Sequence, residues 1–75
     1  MANNRHISIH HRRPITLGGE SNSENISAIS KKSHQAWHTL FKNWDPSRIA
    51  EEINRLYLDP DFELVVQYRW RSNND

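Results

Sequence analysis

Five histidines and no cysteine occur in a chain of 75 residues, and all five histidines lie within the first 38. A single hydrophobic core in so short a chain rarely supplies more than about 3–5 kcal/mol, so scaffolds of this size often add disulfides or a metal. Without cysteine, disulfides and every thiolate zinc site are excluded. If a staple exists, imidazole must supply it. The length allows one domain, residues 1–75. Three Trp, two Tyr and two Phe favour a folded chain over a disordered one.

No apolar run approaches the roughly 20 residues of a membrane span, and the opening MANNRHIS lacks the apolar stretch of a secretory signal. A soluble, cytoplasmic protein without membrane contact is the expectation. The net charge of +1 hides an asymmetry. Residues 1–44 carry six basic and two acidic side chains, a balance of +4; residues 45–75 carry four and seven, a balance of −3. The histidine-rich half is the basic half, which suits an anionic substrate.

Residues 6–11 alternate, with His6, Ser8 and His10 on one face and Ile7, Ile9 and His11 on the other, as in a short strand. Pro14 and the pair Gly18-Gly19 break regularity, and GGESNSEN is a polar loop. Residues 26–29 suit a second strand pairing back on the first. Ser30 is placed to cap a helix running to about Trp44. Trp37, Leu40, Phe41 and Trp44 form its apolar stripe, with His34 and His38 one turn apart at the edge.

Asp45-Pro46 opens a second helix over about 46–57. Its positions Ile49, Ala50, Ile53, Leu56 and Tyr57 repeat at helical spacing and read as core. After the turn at Leu58–Asp61, Phe62, Leu64, Val66, Tyr68 and Trp70 alternate with Glu63, Val65, Gln67 and Arg69. That is a strand pattern over about 62–70, with a short helix as the alternative. Trp70 would close the core or pack against a partner. The fold class is therefore α+β.

The chemistry is concentrated in residues 8–41. Imidazoles at i and i+4 on a helix point the same way and can share one cation. A third nitrogen from the strand would complete a three-ligand site with a position open for water or a phosphate oxygen. Neighbouring residues on a strand point to opposite faces, so one of His10 and His11 can face a metal while the other faces a substrate. A neutral imidazole suits proton abstraction from water near pH 7.

This segment resembles the HNH (His-Me finger, ββα-metal) nuclease motif, and most closely the version in the nuclease domains of DNA-cleaving colicins. There too a His-His pair precedes a proline, a Gly-Gly turn, an asparagine and a helix bearing His-x-x-x-His. The resemblance covers about 30 of the 75 residues. It implies a ββα-metal core with His10, His34 and His38 as ligands and His11 as general base. Asn25 would hold the loop and the backbone of the base by hydrogen bonds, and Gly18 and Gly19 would permit the tight return. It departs from the closest pattern at Ser8, where that pattern has an acidic residue able to orient a ligand, so weaker metal affinity is expected.

The expected function is a small metal-dependent endonuclease hydrolysing phosphodiester bonds, with double-stranded DNA as the expected partner. Arg12, Arg13, Lys31 and Lys32 are the candidate phosphate contacts, and His6 matches nothing in the motif. The cofactor would be one divalent ion. Three imidazoles suit Zn²⁺, Ni²⁺ or Co²⁺ by ligand type, and the resemblance adds Mg²⁺ and Mn²⁺. The competing reading is a non-catalytic, metal-stapled module binding nucleic acid or protein, and His11, which a pure scaffold does not need, distinguishes the two. A structural or regulatory role using the second helix and last strand has no specific residue pattern behind it.

Overall fold

The computed structural model describes residues 4–69. Its backbone clusters into two units, the first ending at Asp45 and the second beginning at Pro46. Strands β1 (Ile7–His11) and β2 (Ile26–Ser30) form an antiparallel pair, followed by helices α1 (Lys31–Phe41) and α2 (Pro46–Leu56). The class is α+β, and the order through the first unit is ββα. Among the described residues, no helix is long and apolar enough to cross a membrane.

In the first unit α1 packs on both strands. Ser30 caps it as its sequence position suggests, the hydroxyl accepting from the Ser33 backbone N–H at 3.0 Å. The register pairs Ser8 with Ile29, Ile9 with Ala28, and His10 with Ser27. Cross-strand partners share a face, so Ser8, His10, Ser27 and Ile29 stand together and all are half-buried. Ile7, Ile9 and Ala28 lie on the exposed face. The strand pair thus keeps Ser8, His10, Ser27 and Ile29 half-buried and leaves Ile7 and Ile9 exposed.

The loop between the strands is held tightly. Ile15–Leu17 make a 3-10 turn closed by Gly18 at φ 85°, a conformation that favours glycine. Gly19 is required for a different reason: a Cβ there would run into the carbonyl oxygen of Arg13.

Several expectations are corrected. His6 belongs to a 3-10 turn, Asn4–His6, rather than to β1. Helix α1 stops at Phe41, three residues before Trp44, because the chain turns sharply there. Lys42 adopts φ 52°, ψ −132°, and Trp44 N–H donates to the Phe41 carbonyl at 3.0 Å. This is the geometry of a type II′ turn with lysine where glycine is usual. The Lys42 ammonium lies 5.3 Å from the centre of the Trp44 ring. Of the expected apolar stripe, Phe41 is buried, Trp37 and Trp44 are half-buried, and Leu40 is exposed. The ring of Trp37 meets that of Phe41 edge-on, 4.8 Å between centres.

In the second unit α2 begins at Pro46, the first helical position, as expected. Ile49, Ala50 and Ile53 are half-buried, whereas Leu56 and Tyr57, expected as core, are exposed. Among the described residues, the C-terminal strand is not formed: residues 62–69 pair with no strand there. A side chain takes the place of a neighbouring strand. Asn54 accepts from the Leu64 N–H at 2.8 Å and donates to the Leu64 carbonyl at 2.9 Å. Trp70 lies outside the described residues.

Candidate metal centre

Two elements carry three histidines to one place. Strand β1 turns His10 toward α1, and α1 presents His34 and His38 one turn apart on the side facing the sheet. One ring nitrogen from each of the three lies within 4.8 Å of the others. The ring centres of His10 and His34 are 5.3 Å apart, those of His10 and His38 6.0 Å, and those of His34 and His38 4.7 Å. Trp37 closes the side of the cluster, its ring 5.7 Å from that of His10. Among the described residues, these three form the group able to hold a metal ion.

The state of each ring fits that use. His10 Nδ1 is buried with no hydrogen-bond partner among the described residues. An orphaned imidazole nitrogen is costly unless something binds it. Burial, first, and then the positive charge that His34, His38, His11 and Arg12 would place beside it hold His10 below the usual histidine pKa. The ring is therefore neutral, the form that ligates a metal. The His34 and His38 Nε2 atoms are 3.0 Å apart. Nitrogens sharing one ion at about 2.0–2.1 Å can be at most about 4.2 Å apart, so only modest ring movements would bring all three onto one cation.

Ser8 does what the sequence comparison left in doubt. Its hydroxyl lies 2.6 Å from His34 Nδ1. Accepting from Nδ1–H, it leaves the Nε2 lone pair for an ion and fixes the ring's orientation. The contact fixes the orientation of the His34 ring with a neutral hydroxyl.

His11 stands next to the cluster but outside it. Pairing with Ile26, it lies on the opposite face of β1 from His10, and its Nε2 is 2.9 Å from the Ser21 hydroxyl. His11 and His38 line one cavity of about 230 Å³, together with Pro14, Ile15, Thr16 and Asn43. His38 of the cluster and the fourth histidine therefore border a common space.

Asn25 is the lock of the loop. Its side chain accepts from the Arg13 N–H at 2.7 Å and donates to the carbonyls of Arg13 at 3.1 Å and Glu20 at 2.8 Å. Its own carbonyl accepts from the Arg12 N–H at 2.7 Å. It holds the two residues after His11, not His11 itself, and so is a positioning residue. Arg12 and Arg13 are exposed where β1 ends. Lys31 and Lys32 are exposed in the first turn of α1, but Lys32 shares a groove with Gln35, Ala36, Thr39 and Leu40. At about 100° per residue that stripe lies on the flank of α1 away from His34 and His38, so the four cations do not form one patch at the cluster.

Sequence reasoning missed Ser21 as the partner of His11 and Ser8 as the partner of His34. Ser8 could have been found, since it shares the β1 face of His10; a loop serine such as Ser21 leaves no periodic signal. No protein-family model, curated protein or solved structure matches the chain.

Proposed function

We infer that the protein is a small metal-dependent nuclease that hydrolyses phosphodiester bonds in DNA, the activity the HNH resemblance implies. One observation carries this reading. A fourth histidine, His11, borders the same cavity as His38 while standing apart from the three clustered rings. A purely structural site has no use for such a residue.

His10, His34 and His38 would hold one divalent ion, which when bound stabilises negative charge on the oxygens of the phosphate. Donating its Nε2–H to the Ser21 hydroxyl would hold the neutral His11 ring in orientation and leave Nδ1 free to accept a proton. His11 would take a proton from a water molecule; the hydroxide would attack phosphorus and the bond to the leaving oxygen would break. Asn25 fixes the loop so that Arg12 and Arg13 leave β1 in a set direction beside the base, where guanidinium can contact a neighbouring phosphate.

The deciding experiment is nicking of supercoiled DNA by the wild type and His11→Ala across Mg²⁺, Mn²⁺, Ni²⁺, Co²⁺ and Zn²⁺. Loss of a general base should slow cleavage by roughly 10²–10⁴-fold while leaving metal binding in place. A protein that binds metal yet cleaves neither DNA nor RNA with any of these ions is not a nuclease. The non-catalytic binding module would then stand.

A further inference from the structure

Residues 62–69, Phe-Glu-Leu-Val-Val-Gln-Tyr-Arg, have the composition of a strand and no strand beside them. Their side chains are exposed throughout, Phe62 to 69%, Val65 to 76% and Tyr68 to 79%. Among the described residues, the backbone hydrogen bonds of 63–69 are the two that Leu64 makes with Asn54. Proteins blunt such an edge with proline, lysine or a bulge. This segment has no proline, glycine or lysine, and its charges are confined to Glu63 and Arg69.

The Asn54 contact fixes which edge is free. One amide can bond both the N–H and the C=O of Leu64 only if both point the same way, as they do in an extended strand. In such a strand the next residue's groups point to the opposite edge. The groups of 64 and its even-numbered neighbours therefore face the Asn54 side, and those of 63, 65, 67 and 69 face outward.

We propose that this outer edge pairs with the same edge of a second copy of the chain, antiparallel and centred on Val66, to form a two-fold symmetric dimer. In this register Glu63 lies opposite the partner's Arg69 and Val65 opposite the partner's Gln67, all through outward-facing backbone groups. The even-numbered residues form the alternate pairs: Val66 meets its own copy and Leu64 meets the partner's Tyr68. One face of this pairing, formed by Leu64, Val66 and Tyr68, is apolar from both copies; the other carries two Glu–Arg pairs, one at each end. Shifting the register by two residues breaks both Glu63–Arg69 pairs; the shift toward Asp61 would set Arg69 opposite that residue instead, a pairing the double charge reversal cannot restore. Symmetry supplies every interaction twice, and neither Glu63 nor Arg69 has an ion-pair partner among the described residues.

Charge reversal tests both the dimer and its register. The full chain, kept in chelator so that metal cannot bridge copies, would be followed by sedimentation or light scattering over a concentration series. The wild type should dimerise. Glu63→Arg and Arg69→Glu should each raise the dissociation constant by about tenfold or more, because each places like charges opposite one another at two points. The double variant E63R/R69E should return to near the wild-type value. Both side chains are exposed, so unchanged helical circular dichroism is expected in all four proteins. A wild type that stays monomeric into the millimolar range overturns the proposal. So does indifference to the single reversals, or a double variant as weak as the singles.

Discussion

Two asparagines do the same job in the two halves of this chain, with different company. Asn25 ties residues 13 and 20 together through three side-chain hydrogen bonds, and around it stand a strand ladder, two serine–histidine contacts and a capped helix. Asn54 ties Leu64 to α2 through two, and apart from the half-buried stripe on α2 little else holds that segment. Neither half owes much to a core, since Phe41 is the buried apolar residue among those described. The first half directs its polar groups toward a point where an ion can sit. The second leaves its backbone groups directed outward. One half gathers three imidazoles that could hold a cation; the other leaves a segment of strand composition without a neighbouring strand among the described residues.

The largest test of that contrast is metal addition. Zn²⁺, Ni²⁺ or Co²⁺ at a thousandfold excess over its dissociation constant should stabilise the first unit by about 4 kcal/mol, and a chelator should remove the gain. Hydrogen exchange of β1, β2 and α1 should slow while that of α2 changes little. His34→Ala or His38→Ala should abolish the effect. Equal protection of both halves would dissolve the distinction.

Next are the asparagines. At about 1 kcal/mol per hydrogen bond, Asn25→Ala should destabilise the first unit by about 2–3 kcal/mol, and Asn54→Ala should weaken the second by about 1–2 kcal/mol. The second loss should show as faster exchange at Leu64 with the first unit unaffected. If Asn54→Ala proves the more damaging, the second half is held by more than this contact.

A smaller effect separates the halves by pH. His10, held below its usual value by burial and neighbouring charge, binds its proton less readily in the fold than in the unfolded chain. The metal-free first unit should keep its full stability above about pH 6.5, the ordinary histidine value, and lose stability as pH falls below it toward the lowered value. Thermal unfolding in chelator between pH 8 and 5 measures this, and His10→Gln should flatten the profile. Residues 46–75 contain no histidine, so α2 should show no such change.

Smallest is a gain. Lys42 occupies a turn position with positive φ, and Lys42→Gly should relieve strain worth about 1–3 kcal/mol, offset by glycine's greater freedom when unfolded and by the lost Trp44 contact. A net stabilisation of about 0.5–1 kcal/mol in thermal unfolding is expected. A loss would show that the contact with Trp44 outweighs the strain.

What the sequence disclosed follows from how far each signal reaches. Ser30 and Pro46 announce their helices because caps act within a turn, and His34 and His38 announce a shared face because helical spacing is local. The convergence of His10 upon them could be expected only through the resemblance, since His10 and His34 lie 24 positions apart. Alternation in residues 7–11 marked a strand but not which side faces the helix; the structure chose the serine and histidine side. The same alternation over 62–70 overstated its case, because a strand needs a neighbour as well as a pattern. Asn54 and Lys42 act by single contacts between a side chain and distant or turned backbone, and periodicity cannot register those.

The 3.0 Å bond between the Nε2 atoms of His34 and His38 requires a hydrogen on one of them. One of these two cluster nitrogens is thus engaged by a hydrogen. Taking up a cation is an exchange reaction: the hydrogen must leave for solvent or migrate to the other nitrogen of its ring before that lone pair can be used. Metal uptake at both nitrogens should therefore be coupled to the displacement of that hydrogen.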